Sequence, residues 1–106
     1  MLQITPVELK EYLEYTDTPP LLLDVRIQAE FQICHIPGSR HIPMDEIPLA
    51  YKELDPNREI VVICHRGMRS AKVADFLRQS GFTKVLNLAG GIDAWAREID
   101  PDMPAY

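Results

Sequence analysis

The segment Cys64-His65-Arg66-Gly67-Met68-Arg69-Ser70 places one cysteine among two arginines, a histidine and a glycine, directly after the apolar run Ile60-Val61-Val62-Ile63. Cysteine attacks only as the thiolate, and its pKa falls beside cationic side chains or at a helix N-terminus. The apolar run reads as a buried strand and the stretch from Met68 as a helix, so Cys64 stands at a strand's carboxyl end, facing a basic turn. Arg66 and Arg69 keep their charge at any working pH and can hold a sulfonate, a phosphate or a persulfide. The turn around Gly67 and Met68 directs backbone N–H groups into the same concavity. His65 can donate a hydrogen bond or assist proton transfer. Cys64 is thus the candidate nucleophile, and His65, Arg66, Gly67, Met68 and Arg69 are the candidate substrate and anion binders, with Ser70 in support. The plain alternative is a small apolar residue closing a strand, which requires no such cluster of cations.

The interval between nucleophile and arginine narrows the chemistry. Four residues, His65 to Met68, separate Cys64 from Arg69, and Ser70 follows where a second arginine could stand. Cysteine-dependent phosphatases use one residue more, because their loop wraps the oxygens of a phosphate. The tighter loop suits a cysteine that carries an extra sulfur atom inside the ring of donors, which favours sulfur transfer.

The elements that position this loop follow from local patterns. Thr5-Pro6-Val7-Glu8 forms a capping box with proline at the first helical position, predicting a helix to about Tyr15 that turns Leu9, Tyr12 and Leu13 inward. Leu21 to Val25 predicts a strand covered on both faces, with Asp24 and Arg26 at its carboxyl end on the same edge as Cys64. These two either pin neighbouring loops or touch substrate. A short helix over Gln28–Ile33, a Pro37-Gly38 turn and a brief strand near Arg40 to Ile42 come next. Met44 to Leu54 reads as a helix limited by Pro48. Ile60 to Ile63 is a strand, and Met68 to Gln79 an amphipathic helix with Val73, Ala74, Phe76 and Leu77 inward. Lys84 to Leu88 is a strand, Gly90-Gly91 a turn, and Ile92 to Glu98 a helix packed through Trp95. Strand and helix alternate without repeats, which predicts an α/β fold with a parallel sheet and right-handed crossovers.

Bulk properties set limits on partners. The 106 residues suffice for one hydrophobic core, so residues 1–106 read as a single domain, with 46% hydrophobic and 25% charged residues. A net charge of -5 argues against general nucleic-acid or membrane-surface binding. Met1 to Pro6 lacks the pattern of a secretory leader, and no run approaches the roughly eighteen apolar residues of a membrane span. These features point to a cytoplasmic monomer. Cys34 and Cys64 are too few for a disulfide framework and read as free thiols. Cys34-His35 and Cys64-His65 lack metal-ligand spacing, so no metal is expected.

The ordered motifs resemble the rhodanese family. Leu22-Leu23-Asp24-Val25-Arg26, Glu30-Phe31, His35-Ile36-Pro37-Gly38-Ser39 and Ile42-Pro43 are similar to its N-terminal signature. Cys64-x-x-Gly67-x-Arg69-Ser70 resembles its active loop, and Leu88-Ala89-Gly90-Gly91-Ile92-x-Ala94-Trp95 its C-terminal signature, with a Pro104-x-Tyr106 tail. The resemblance implies a rhodanese-like three-layer sandwich, a five-stranded parallel sheet flanked by helices on both faces. It also implies a thiosulfate:sulfurtransferase or persulfide carrier without a cofactor, fed by a small sulfur anion or persulfide and discharged to cyanide, a thiol or a protein acceptor. A phosphatase or arsenate reductase on the same scaffold, or a non-catalytic binding module, is the alternative. One departure is Cys34, where the family usually has glycine before His-Ile-Pro-Gly; it reads as a tolerated small residue or as a thiol that resolves a Cys64 persulfide.

Overall fold

In the computed structural model, which describes residues 2–106 and leaves Met1 outside, five parallel strands form one sheet in the order β1-β5-β4-β2-β3. The strands are β1 (Gln3–Ile4), β2 (Leu21–Asp24), β3 (Arg40–His41), β4 (Ile60–Ile63) and β5 (Val85–Leu88). Helices α1 (Pro6–Tyr15), α2 (Gln28–Ile33), α3 (Ile47–Ala50), α4 (Met68–Gln79) and α5 (Gly91–Glu98) connect or follow them. β4 is central: Ile60, Val61, Val62 and Ile63 pair with Leu21, Leu22, Leu23 and Asp24 of β2. On its other side β4 pairs with β5 from Ile60↔Val85 to Val62↔Asn87.

Side chains alternate across a strand, so a strand apolar at every position needs cover on both faces. β4 has it. Ile60, Val62 and Cys64 belong to a core cluster with Val73, Ala74 and Leu77 of α4 and with Ile47 of α3. Val61 and Ile63 belong to a second cluster with Leu9 of α1 and Ile92, Trp95 and Ala96 of α5. The chain is therefore the three-layer α/β sandwich that the sequence implies, with helices on both faces of the sheet.

The capping box of α1 forms in full: Glu8 N–H donates to Thr5 Oγ1 at 3.2 Å, and Thr5 N–H to Glu8 Oε1 at 2.9 Å. Leu9 is fully buried, and Tyr12 and Leu13 pack against the same cluster. One expectation needs correction, and one strand comes in addition to those expected. The helix over Met44 to Leu54 is instead three short pieces: a 3-10 turn at Met44–Glu46, α3, and a 3-10 turn at Tyr51–Glu53. Pro48 has no N–H, and its ring clashes with a carbonyl one turn back, so the helix can only restart with proline in its first turn. Leu49 is then left 86% exposed instead of facing the core. The additional strand is β1, of two residues that local patterning does not announce; its register with Asn87 and Leu88 of β5 exists only in the folded sheet.

Candidate active site

β4 ends at Ile63, and Cys64 follows at the carboxyl edge of the sheet with 1% of its surface exposed. The chain must turn back at once to start α4. Gly67 allows this with φ +96°, a left-handed conformation that favours glycine. The reversal brings Gly67 N–H to 3.1 Å from Cys64 Sγ. Ser70, buried in the first turn of α4, places its Oγ 3.2 Å from the same sulfur. Ser70 has one proton and two acceptors in reach, Cys64 Sγ and Asn87 Oδ1. Asn87 in turn donates from Nδ2 to Gly67 O at 3.0 Å, fixing the glycine turn from below. Twelve-residue α4 directs the positive end of its backbone dipole toward the sulfur. The Ser70→Ala variant is expected to lose about 1–3 kcal/mol of stability, because buried Asn87 Oδ1 loses its donor. A thermal melt reads this; an unchanged Tm would show that Asn87 finds another.

The loop is also held from behind. Ile92 N–H donates to Cys64 O and Asp93 N–H to His65 O, both at 2.9 Å. The Gly90-Gly91 turn thus becomes the start of α5, whose first amides are spent on loop carbonyls.

The arginines have different situations. Arg66 is exposed and forms no ion pair among the described residues. Arg69 is engaged: Nη1 donates to Glu30 Oε1 at 2.6 Å and Nη2 to Glu30 Oε2 at 3.0 Å. Tyr106 OH donates to Glu30 Oε2 at 2.9 Å and accepts from Arg26 Nη1 at 2.8 Å. Its ring stacks on His65 with centroids 4.0 Å apart. The hydrogen bonds from Arg69 hold the Glu30 carboxyl down to about 2, against the opposing effect of burial and with help from Tyr106. Burial, with the Glu30 carboxylate, pushes the Tyr106 hydroxyl up to about 12. Because Glu30 ionises more easily folded than unfolded, its contribution is complete above its ordinary value of 4.5 and is lost as pH falls from there toward 2. Thermal melts across that window are expected to show a decline that Glu30→Gln flattens.

Asp24 and Arg26 are both fully buried. Arg26 Nε donates to Asp24 Oδ1 at 2.9 Å and Nη2 to Asp24 Oδ2 at 2.8 Å; Nη2 also donates to Cys34 O at 2.6 Å. Burial opposes the charge on Arg26, yet hydrogen bonds with Asp24 and Tyr106 outweigh it, and the guanidinium's pKa rises. Of the two sequence readings, the pinning of loops fits this burial, and substrate contact does not. Met68 opens the helix with 78% of its surface exposed, beside the loop. Cys34 has φ -166°, extended backbone that any residue adopts, so it replaces glycine without strain. Both cysteines are free, and they sit in different core clusters.

Sequence reasoning assigned no role to Glu30, Tyr106 or Asn87. A signal existed for Asn87, an amide in the apolar strand Val85-Leu86-Asn87-Leu88, since buried polar groups need partners. None existed for the pairing of Glu30 with Arg69.

With that geometry in place, the sequence profile of the rhodanese-like domain matches residues 5–98. The chain belongs to the rhodanese-like family. A sulfurtransferase of Allochromatium vinosum is 43% identical over 77 residues, covering 73% of this chain and 72% of that protein. The adenylyltransferase and sulfurtransferase MOCS3-1 of Zea mays is 39% identical over 92% of this chain, which spans only 23% of that protein's length. Among solved structures, SSP1007 of Staphylococcus saprophyticus superposes with a TM-score of 0.85 at 36% identity, covering 93% of this chain and 97% of that one. The five-stranded rhodanese fold is thus common to the sequence, the structure and its neighbours. Among the described residues, no helix is long and apolar enough to cross a membrane.

Proposed function

We propose that this rhodanese-like chain moves sulfane sulfur through a persulfide on Cys64. The observation that carries the reading is the setting of the sulfur: Sγ lies at the strand end, 3.1 Å from the Gly67 N–H and 3.2 Å from Ser70 Oγ, under a loop bearing Arg66 and Arg69. In the first half-reaction the Cys64 thiolate attacks the outer sulfur of thiosulfate. The S–S bond of thiosulfate breaks as a new S–S bond forms on Cys64, and sulfite leaves with the electron pair. In the second, cyanide or a thiolate attacks the terminal sulfur and Cys64 departs as thiolate. The near-complete cover over Cys64 supports this chemistry, because an outer sulfane sulfur is a single projecting atom that can reach where a branched group cannot.

Arg66 and Arg69 receive the donor's anionic end, with His65 and the exposed Met68 at the rim. The Gly67 N–H steadies the sulfur in both half-reactions, and Ser70 beside it ties the sulfur's pocket to Asn87. Asp24 and Arg26 hold the floor of the site. The sulfurtransferase names of relatives support the same class of reaction.

Intact-mass measurement tests the reading. Incubation with thiosulfate or another sulfane donor is expected to add one sulfur atom, which cyanide or a small thiol then removes. A chain that gains no sulfur from any such donor overturns it. So does Cys64-dependent release of phosphate from an aryl phosphate without sulfur loading.

A further inference from the structure

Arg69 is the second cation of the loop, yet its charge is already balanced. Both of its terminal nitrogens donate to the Glu30 carboxylate, at 2.6 and 3.0 Å, and Tyr106 OH donates to that carboxylate from the other side. With its ionisation held down to about 2, Glu30 is an anion at every physiological pH. The Asp24–Arg26 pair beneath the site also sums to zero. In the groove along the start of α4, lined by Met68, Arg69 and the exposed Lys72, the Asp75 carboxylate is paired with Arg78 at 2.9 Å. Of the loop's two arginines, Arg66 is the one without an ion pair among the described residues.

We infer that Glu30 is a specificity-determining residue that turns the site from dianionic donors such as thiosulfate toward monoanionic persulfide donors. This rests on the sulfur-transfer reading and names the donor class of the same site. A donor's binding scales with the product of its charge and the site's, so one added negative charge in the site penalises a dianion twice as much as a monoanion. Tyr106 is a positioning residue in this arrangement: it fixes the carboxylate against Arg69 and carries no charge itself. The alkyl persulfide binds as the monoanion R–S–S⁻ and takes one proton from solvent on its outer sulfur, which the Cys64 thiolate then attacks. The donor's S–S bond breaks, R–S⁻ leaves with the electron pair, and the outer sulfur keeps its proton on Cys64.

The test measures the rate of sulfur loading on Cys64 by intact mass, against donor concentration, for thiosulfate and for an alkyl persulfide. Each rate is normalised to that donor's reaction with free cysteine. The wild-type chain is expected to favour the persulfide. Glu30→Gln, which keeps an oxygen for Arg69 and removes the charge, is expected to raise thiosulfate loading about tenfold and persulfide loading about threefold. The gain is expected in the concentration dependence and not in the saturating rate. Tyr106→Phe, which changes no charge, is expected to leave the donor ratio at its wild-type value. A Glu30→Gln variant that slows both donors alike, or a ratio that moves equally in Tyr106→Phe, overturns the inference and makes Glu30 a support for Arg69 alone. Should Glu30→Gln fail to fold, the wild-type chain decides: a normalised preference for thiosulfate overturns the inference. A wild-type chain that loads from neither donor removes the sulfur-transfer reading itself, and this inference with it.

Discussion

Cys64→Ser is expected to fold as the wild type does and to lose sulfur transfer by at least about a thousandfold, with no sulfur adduct at any donor concentration. Serine fits the space, since its oxygen is smaller than the sulfur it replaces, and the Gly67 N–H that points at Sγ can point at Oγ instead. The chemistry does not survive the exchange. A hydroxyl at this position holds its proton far more tightly than a thiol, and an S–S bond needs sulfur on both sides. Intact mass after donor treatment reads the adduct, and circular dichroism with a thermal melt reads the fold. A Tm within a few degrees of wild type separates loss of nucleophile from loss of structure, because one buried polar exchange costs on the order of 1 kcal/mol. Residual loading on Cys34 would place the acceptor elsewhere, but Cys34 lies in a different core cluster and closes α2 rather than facing the loop.

What the sequence made legible were features written within a few consecutive residues. The apolar run Ile60 to Ile63, the glycine at Gly67 and the cations on either side of it specify a strand, a reversal and a helix start within one stretch, so the place of the Cys64 loop is written locally. The capping box of α1 is local in the same way. Asp24 and Arg26, two residues apart, could be placed at the strand's carboxyl end, while their complete burial is a property of the folded sheet that no local pattern states. The remainder is non-local. Glu30 meets Arg69 across 39 positions and Tyr106 across 76, and neither partner carries a mark that names the other. Two-residue β1 is defined by its partner strand and not by any pattern of its own. The helix expected over Met44 to Leu54 breaks into three pieces because the missing N–H and ring clash of Pro48 outweigh the apolar spacing that would carry one helix through it. The interval of four residues from Cys64 to Arg69 pointed to sulfur, and the Glu30 carboxylate adds that Arg69 arrives with its charge already answered.

Gly91→Ala is expected to be the most disruptive single methyl that can be added near the site, for a reason the loop's support makes explicit. The new Cβ would stand 2.4 Å from Cys64 O, 2.5 Å from His65 O and 2.6 Å from His65 C. Backbone is what it meets, so no flexible side chain can swing aside. The two carbonyls are also the ones that Ile92 and Asp93 hold at 2.9 Å, so relieving the clash breaks the grip of α5 on the loop. The φ of +59° adds strain for any residue with a side chain. A loss of about 3–5 kcal/mol is expected from these effects together. If the variant still folds, its loop is displaced and sulfur loading of Cys64 falls with it. Gly38→Ala supplies the comparison. Gly38 also has a positive φ, +86°, but nothing lies within 4 Å of its added Cβ, so backbone conformation alone accounts for its cost of about 1–2 kcal/mol. Urea unfolding of both variants beside wild type measures the difference. Equal losses at the two positions would mean that α5 does not hold the Cys64 loop by its carbonyls.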